Sequence, residues 1–117
     1  MATKTPKLVK HTLMARFKDE ITREQIDNYI NDYTDLLDLV PTMKSFSCNT
    51  NPASIYGHGS RQGVCGAKPR IYTHVFEATF ESIAGLQEYI DSPAHVAFGN
   101  RFVPALSQIL VIDHFLH

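Results

Sequence analysis

The fold is decided first by an alternating stretch near the start of the chain, Leu8-Val9-Lys10-His11-Thr12-Leu13-Met14-Ala15-Arg16-Phe17. Two sets of side chains alternate along it: His11, Leu13, Ala15 and Phe17 in one, and Lys10, Thr12, Met14 and Arg16 in the other. Successive side chains of a strand point to opposite faces of the sheet. The stretch therefore predicts a first strand with one buried face.

An amphipathic helix follows this strand. Thr22 and Gln25 have the spacing of a capping box, in which the side chain of each residue accepts a hydrogen bond from the backbone N–H of the other. Apolar residues then recur at steps of three and four until Pro41, namely Ile26, Tyr29, Ile30, Tyr33, Leu36, Leu37 and Val40. This spacing predicts a helix that buries one face and ends before the proline.

The remaining segments complete a recognisable order of elements. Short strands are predicted at 43–48 and 109–112, and a longer one at 70–80, where aromatic and small residues alternate. Helices are predicted at 82–91 and from 93 to about 106. The order β-α-β-β-α-β predicts an α+β fold of the ferredoxin-like type. We expect one domain over 1–117, with a loop insertion at about 49–69.

Composition limits the classes of protein to which the chain can belong. Its 117 residues are 44% hydrophobic and 20% charged, as in a small globular domain. A formal net charge of -1 argues against a nucleic-acid-binding protein, which would carry a basic excess. No apolar run approaches the roughly 18 residues of a membrane span, and residues 1–10 lack the apolar core of a signal peptide. We expect a cytoplasmic protein with no nucleic-acid or membrane partner.

The predicted loop differs from the rest of the chain. It holds four of the six glycines, and no acidic residue occurs from Lys44 to Arg70, a segment that also contains Arg61 and Lys68. It is either a plain surface loop or a positively charged loop that attracts an anionic substrate such as a carboxylate or a coenzyme A phosphate. Cys48 and Cys65 are too far apart in the sequence for a Cys-x-x-Cys metal-binding motif, so no metal site is predicted. Their spacing leaves open whether they form a disulfide.

The predicted sheet has one face without helices. In the ferredoxin-like order the helices cover one face only, and the last strand, Ile109-Leu110-Val111-Ile112, is apolar on both of its faces. A second copy of the chain is the simplest cover for the open side. We therefore expect a homodimer in which two sheets pack face to face as an α/β barrel.

Chemistry is concentrated in residues 89–99, which read Tyr-Ile-Asp-Ser-Pro-Ala-His-Val-Ala-Phe-Gly. Ser92 suits a helix cap and Pro93 the first helical position, which places His95 in the opening turn of a helix. The positive end of the helix dipole disfavours an imidazolium, so His95 should be neutral and able to accept a proton. With the phenol of Tyr89 nearby, the two side chains form a plausible acid/base pair.

Five short motifs resemble the stress-responsive A/B barrel domain (Dabb) family of plants: Val9-Lys10-His11, Phe17-Lys18-Asp19, Tyr72-Thr73-His74, Phe80-Glu81-Ser82 and Pro93-Ala94-His95-Val96. The resemblance covers nearly the whole chain. It breaks after the second strand, where Ser47-Cys48 replace the family's Trp-Gly pair, and the chain has no tryptophan. The family includes a boiling-stable stress protein that forms rings and a polyketide cyclase that performs an intramolecular aldol condensation without a cofactor.

The resemblance implies a role for each matching residue. His95 would be the general base of a cofactor-independent cyclase, and Tyr89 its catalytic partner. His11 and Tyr33 would hold the far carbonyl of a poly-carbonyl or coenzyme A-derived substrate, with His74 in the same pocket. An apolar sleeve would fold the substrate, lined by Ile30, Phe46, Phe76, Ala78, Ile109 and Val111.

Other interpretations remain open at this point. His11 and His74 could equally be core histidines whose ring nitrogens are hydrogen-bonded within the protein. Tyr33 could serve only to pack its helix, and His95 could be a residue at a helix start with no catalytic role. The whole chain equally fits a non-catalytic stress-protective protein whose dimers assemble into a larger ring. A cofactor-free monooxygenase on the same type of barrel is a third candidate.

Overall fold

A computed structural model describes residues 7–50 and 72–116 of the chain. In chain order the elements are β1 (Val9–Phe17), α1 (Arg23–Leu39), β2 (Met43–Thr50), β3 (His74–Phe80), α2 (Ile83–Asp91), α3 (Pro93–Phe102), a 3-10 turn (Val103–Ala105) and β4 (Leu106–Phe115). The strands form one antiparallel sheet in the order β2-β3-β1-β4. The predicted ferredoxin-like α+β fold is confirmed.

The core lies between the sheet and the helices. Every second residue of β1, from Val9 to Phe17, is buried on the helix-covered face, as the alternation predicts. The largest fully buried side chains are mostly aromatic: Tyr33, Tyr89, Phe76, Phe80, Phe102 and Leu36. Four of these six come from helices, so α1, α2 and α3 each place a large side chain against the strands.

Several boundaries differ from the sequence prediction. β4 is longer than the predicted 109–112 because it pairs with β1 along its whole length, from Val9 opposite Phe115 to Phe17 opposite Leu106. β2 continues to Thr50, which pairs with His74, so the predicted loop loses its first two residues to the sheet. The rest of the loop, with Cys65 and the basic Arg61, Lys68 and Arg70, lies outside the described residues. Of the predicted 70–80 strand, residues 70–71 also lie outside them, whereas residues 72–73 are described and are not part of the strand, which begins at His74.

The last helix also ends earlier than predicted. α3 stops at Phe102 and gives way to a 3-10 turn that contains Pro104. Proline has no N–H for an α-helical hydrogen bond and its ring crowds the preceding turn. In the part of the chain that the structure describes, no helix has both the length and the apolar character needed to cross a membrane.

Among the described residues, nothing covers most of the edge strand β4 on either face. Pairing with Ala15 and Leu13 puts Ile109 and Val111 on the helix side of the sheet, yet they are 42% and 45% exposed. Leu110 and Ile112 are similarly exposed on the opposite side. The main packing of the helices on the sheet is against the other three strands. The sequence predicted apolar residues on both faces of this strand, but it placed the helices over one face, so the exposure of Ile109 and Val111 was not predicted.

The capping box at the start of α1 is formed as predicted. The Gln25 N–H donates to Thr22 Oγ1 at 3.1 Å, and the Thr22 N–H donates to Gln25 Oε1 at 2.8 Å. Thr22→Ala should lower the free energy of unfolding by about 1 kcal/mol, since it removes one partner of an otherwise unpaired helix N–H. Chemical denaturation at fixed protein concentration measures the difference.

Thr34→Ala is the matched control for this prediction. Thr34 Oγ1 bonds back to the Ile30 carbonyl inside α1, an arrangement that adds little because that carbonyl already serves the helix. Alanine has the higher helix propensity, so Thr34→Ala should be neutral or slightly stabilising. Equal losses in the two variants would contradict the capping assignment.

Candidate active site

The predicted pair, Tyr89 and His95, lies where α2 ends and α3 begins. Tyr89 is near the end of α2, Ser92 is the residue between the helices, and His95 is the third residue of α3. The two ring centroids are 4.3 Å apart, with the planes inclined by 48°. Ser92 occupies the capping position, but its side chain makes no capping hydrogen bond, so that part of the sequence prediction is wrong. Its backbone fixes the corner instead, because the Ser92 N–H bonds to the Tyr89 carbonyl.

His95 is half-buried and oriented by the backbone. Its Nδ1 is 3.1 Å from the carbonyl oxygen of Ile90, and an acceptor there requires the hydrogen to be on Nδ1. The lone pair is then on Nε2. Burial lowers the pKa of His95, the nearby His11 acts in the same direction, and the Ile90 hydrogen bond opposes them. His95 is therefore set up as a neutral imidazole with Nε2 able to accept a proton.

Tyr89 has a buried hydroxyl as well as a buried ring. The side chain is fully buried between Phe80 and His11, with ring centroids 5.0 and 5.6 Å away. Its hydroxyl has no hydrogen-bond partner among the described residues. Burial raises the pKa of Tyr89 to about 12, and the neighbouring Tyr33 phenol offsets part of the rise. The two phenols do not form a hydrogen bond of acceptable geometry. The phenol is thus a protonated donor without an acceptor.

His11 adds a second imidazole on the other side of Tyr89. It lies on the buried face of β1, and its Nδ1 is 2.5 Å from Oδ1 of Asp113 on β4. His11 and Asp113 are directly opposite in the strand register. Asp113 was not among the predicted site residues, because the predicted last strand ended at residue 112. Continuing the alternation of Ile109 and Val111 by two residues would have placed this carboxylate on the same face.

Most of the other predicted residues share the helix-covered face. The Tyr33 ring stacks on Phe76 at 4.8 Å and is 4.6 Å from Phe46, and burial raises the pKa of Tyr33 well above its usual value. Phe76 and Ala78 are fully buried, and Ile30 and Phe46 are partly buried. Ile109 and Val111 lie on the same face at the exposed edge.

His74 is the predicted residue that the structure does not bring to this corner. It points to the predicted face, but it pairs with Ala15, whereas Ala78 is the residue opposite His11. Four residues of strand separate the two positions, about 13 Å at the usual rise. His74 Nδ1 is instead 2.9 Å from Thr73 Oγ1, its ring contacts Phe17, and burial lowers its pKa. A substrate contacting both His74 and His95 would have to extend along β3.

The described residues give little support to metal or thiol chemistry. Within 7–50 and 72–116, no three His, Cys, Asp or Glu side chains converge in a way that could hold a metal ion. Cys48 is a free thiol on β2, and burial raises its pKa to about 11. A thiol with such a pKa is a poor nucleophile because the thiolate is the reactive form.

The whole of this fold and site falls within one known domain family. Residues 9–116 match the stress responsive A/B barrel domain (Dabb). The chain belongs to the Dabb family. The match spans all four strands and the helices that carry Tyr89 and His95.

Dabb relatives of several kinds resemble this chain. The stress-response A/B barrel domain-containing protein HS1 of Arabidopsis thaliana is 41% identical over 106 residues, 91% of this chain and 87% of that protein. Olivetolic acid cyclase of Cannabis sativa is 35% identical over 106 residues, 91% of this chain and 94% of the cyclase. Stable protein 1 of Populus euphratica is 65% identical over 37 residues, which make up 32% of this chain and 66% of that sequence.

A solved structure adds a lyase to these relatives. The hydroxynitrile lyase of Passiflora edulis superposes with a TM-score of 0.79 at 29% identity, covering 96% of this chain and 95% of the lyase. Proteins that resemble this Dabb chain over nearly its full length thus include a cyclase, a lyase and a stress-response protein.

The unpartnered hydroxyl leads to a prediction about stability. Tyr89→Phe removes a buried donor that has no partner among residues 7–50 and 72–116, so the free energy of unfolding should rise by about 1 kcal/mol. Thermal or chemical denaturation measures it. Tyr29→Phe is the control: its hydroxyl donates to the Arg101 carbonyl at 3.3 Å, and its loss should lower stability by about 0.5–1 kcal/mol. A Tyr89→Phe variant less stable than the parent would show that the hydroxyl is satisfied within the protein.

Proposed function

We propose that this protein is a cofactor-independent cyclase or aldol-type lyase of plant specialised metabolism, with His95 as the general base and Tyr89 as its catalytic partner. One observation carries the proposal. A neutral imidazole whose Nδ1 is held by the Ile90 carbonyl lies against a fully buried phenol whose hydroxyl has no partner in the described part of the chain. An acceptor and a donor side by side, each with its reactive atom unused, are what proton transfer next to a carbonyl requires.

The proposed ring closure needs only these groups. His95 Nε2 takes a proton from a carbon next to a substrate carbonyl; the electron pair of the broken C–H bond forms the C=C bond of an enolate, and the π pair of the carbonyl moves to its oxygen. The Tyr89 O–H donates a hydrogen bond to that oxygen as its negative charge develops. The enolate carbon then attacks a second carbonyl carbon of the same molecule and forms the new C–C bond. The resulting alkoxide recovers the proton from the His95 imidazolium.

The remaining predicted residues would bind and fold the substrate. Tyr33 and His11 flank Tyr89 and would hold the far end of a poly-carbonyl chain. The apolar side chains on the same face, including Phe46, Ile109 and Val111, would hold the chain in a shape close to that of the ring-forming transition state.

The Dabb relatives support a reaction of this class. Olivetolic acid cyclase is by name a ring-forming enzyme, and the Passiflora structure is by name a lyase of hydroxynitriles. Cleavage of a hydroxynitrile begins with loss of the hydroxyl proton, and the same neutral imidazole can take it. One base and one phenol therefore suit both reactions, and the walls around them select the substrate.

A turnover assay with two probes tests the proposal. The purified protein is incubated with a linear poly-β-keto coenzyme A thioester and, separately, with an aromatic hydroxynitrile, and product formation is followed for the parent and for Tyr89→Phe. The proposal predicts turnover of one probe by the parent and a large loss in Tyr89→Phe. Turnover that is equal in the two proteins would remove Tyr89 from the mechanism, and turnover of neither probe would reject both proposed reactions.

A homodimer is the proposed form of the protein. The exposed Leu110 and Ile112 lie on the sheet face away from the helices, where Met14 also points, and a second copy would bury them. Light scattering coupled to size exclusion should give twice the mass of the 117-residue chain. A monomer at micromolar concentration would contradict this assembly.

A second candidate function has its own support. The 65% identity to Stable protein 1 and the stress-response name of the Arabidopsis relative favour a non-catalytic stress-protective protein that forms a ring of dimers. Such a protein should survive boiling, migrate as a multiple of the dimer and turn over neither probe. An active dimer that precipitates on boiling would exclude it.

A further inference from the structure

Asp113 has no part in the mechanism described so far, although it contacts the site. It lies on β4 directly opposite His11, and its Oδ1 is 2.5 Å from His11 Nδ1. The His11 side chain is 8% exposed, whereas that of Asp113 is 39% exposed. The carboxylate therefore reaches from the solvent-facing edge of the sheet to a histidine that is buried under the helices.

This contact determines where the hydrogen of His11 is. A carboxylate accepts hydrogen bonds and does not donate them, so the hydrogen must be on Nδ1. In the neutral ring the lone pair is then on Nε2. Among the described residues, Nε2 has no hydrogen-bond partner.

The two histidines of the site are thus anchored in the same way. His95 directs Nδ1 to the Ile90 carbonyl and His11 directs Nδ1 to the Asp113 carboxylate. Their rings lie 4.3 and 5.6 Å from the Tyr89 ring. Within the described residues both imidazoles therefore keep Nε2 without a partner, and the Tyr89 ring that contacts both of them carries a hydroxyl that also has none there.

We propose that Asp113 is a positioning residue that holds His11 in the Nδ1–H tautomer, so that Nε2 accepts a hydrogen bond from a hydroxyl group of the substrate. Holding a carbonyl through Nε2, the role that the family resemblance implied for His11, would need a hydrogen on that atom. An enol or an alcohol fits the site, since each donates its own hydrogen. The inference uses the proposed function for the identity of the ligand, whereas the tautomer is independent of it.

Nitrogen NMR of the ligand-free protein tests the tautomer. The spectrum is recorded on protein with 15N-labelled histidine at an alkaline pH. The His11 signals are identified by their loss in His11→Gln. We expect a pyrrole-like shift for Nδ1 and a pyridine-like shift for Nε2 in the parent. A protonated Nε2 in the parent would overturn the proposal.

Variants at Asp113 separate positioning from simple pairing. In Asp113→Ala the His11 signals should move toward the mixture of tautomers found in water. Asp35→Ala makes the same chemical change on the exposed face of α1 and should leave the His11 signals as they are. An Asp113→Ala protein with a native amide spectrum and an unchanged His11 tautomer would refute the positioning role.

A kinetic cycle tests the consequence for catalysis once a probe is turned over. Asp113→Ala should lower kcat/KM through His11, so the double variant with His11→Ala should be no slower than His11→Ala alone. Losses that multiply in the double variant would show that Asp113 acts independently of His11. If the parent turns over neither probe, the proposed function fails, and the NMR result alone decides the role of Asp113.

Discussion

His95→Ala is expected to reduce turnover of the cyclisation or lyase probe by a factor of about 10²–10⁴, the usual contribution of a positioned general base. The structure gives the reason. Nδ1 is held by the Ile90 carbonyl, which leaves Nε2 as the proton acceptor beside Tyr89, and alanine supplies no acceptor in its place. Steady-state product formation measures the loss, and equilibrium binding of the probe shows whether the substrate still enters.

A variant on the same helix controls for nonspecific damage. Asn100 is exposed on α3, one turn and more beyond His95, so Asn100→Ala should retain the parent's turnover. A His95→Ala protein that binds the probe and converts it at the parent's rate would end the general-base assignment.

The lowered pKa of His95 predicts how turnover depends on pH. The base works only when it is neutral, and burial lowers its pKa below the usual value of about 6.5. The acid limb of the kcat/KM profile should therefore lie below about pH 6.5, with a plateau above it. Stability should change in the same direction: the neutral form is favoured in the fold, so the free energy of unfolding decreases as the pH falls below about 6.5. An acid limb above this pH would indicate a different titrating group.

Phe76→Ala is expected to lower the free energy of unfolding by about 3–5 kcal/mol, the typical cost of emptying the space of a buried aromatic ring. Phe76 is fully buried at the centre of β3, and its ring centroid lies 4.8 Å from Tyr33 and 5.7 Å from Phe102. Its loss removes contacts to α1 and α3 at once. Chemical denaturation at fixed protein concentration measures the change, because an oligomer's stability depends on concentration.

An exposed apolar residue provides the comparison for Phe76. Leu39 at the end of α1 is 62% exposed, and Leu39→Ala should stay within about 0.5 kcal/mol of the parent. A Phe76→Ala loss as small as that of Leu39→Ala would mean that the aromatic cluster adds little to the core.

Local sequence patterns were sufficient to predict which segments form strands and which form helices. The period-two alternation of β1 and the capping box of α1 involve residues a few positions apart, and hydrogen bonds and side-chain directions over that range follow from backbone geometry alone. The same holds for the placement of Tyr89 beside His95, since the seven residues 89–95, one of them a proline, define the corner between α2 and α3. Strand ends were less predictable because β4 extends as far as β1 offers partners.

The sequence by itself determined the fold class, the buried face of β1 and the proximity of one phenol and one imidazole. Only the tertiary structure decided that Asp113 reaches His11, a residue 102 positions away, and that His74 lies at the far end of the sheet from His95. The physical reason is strand register. Hydrogen bonding between β1 and β4 aligns two distant segments residue by residue, and a shift of one position would have turned the carboxylate to the other face.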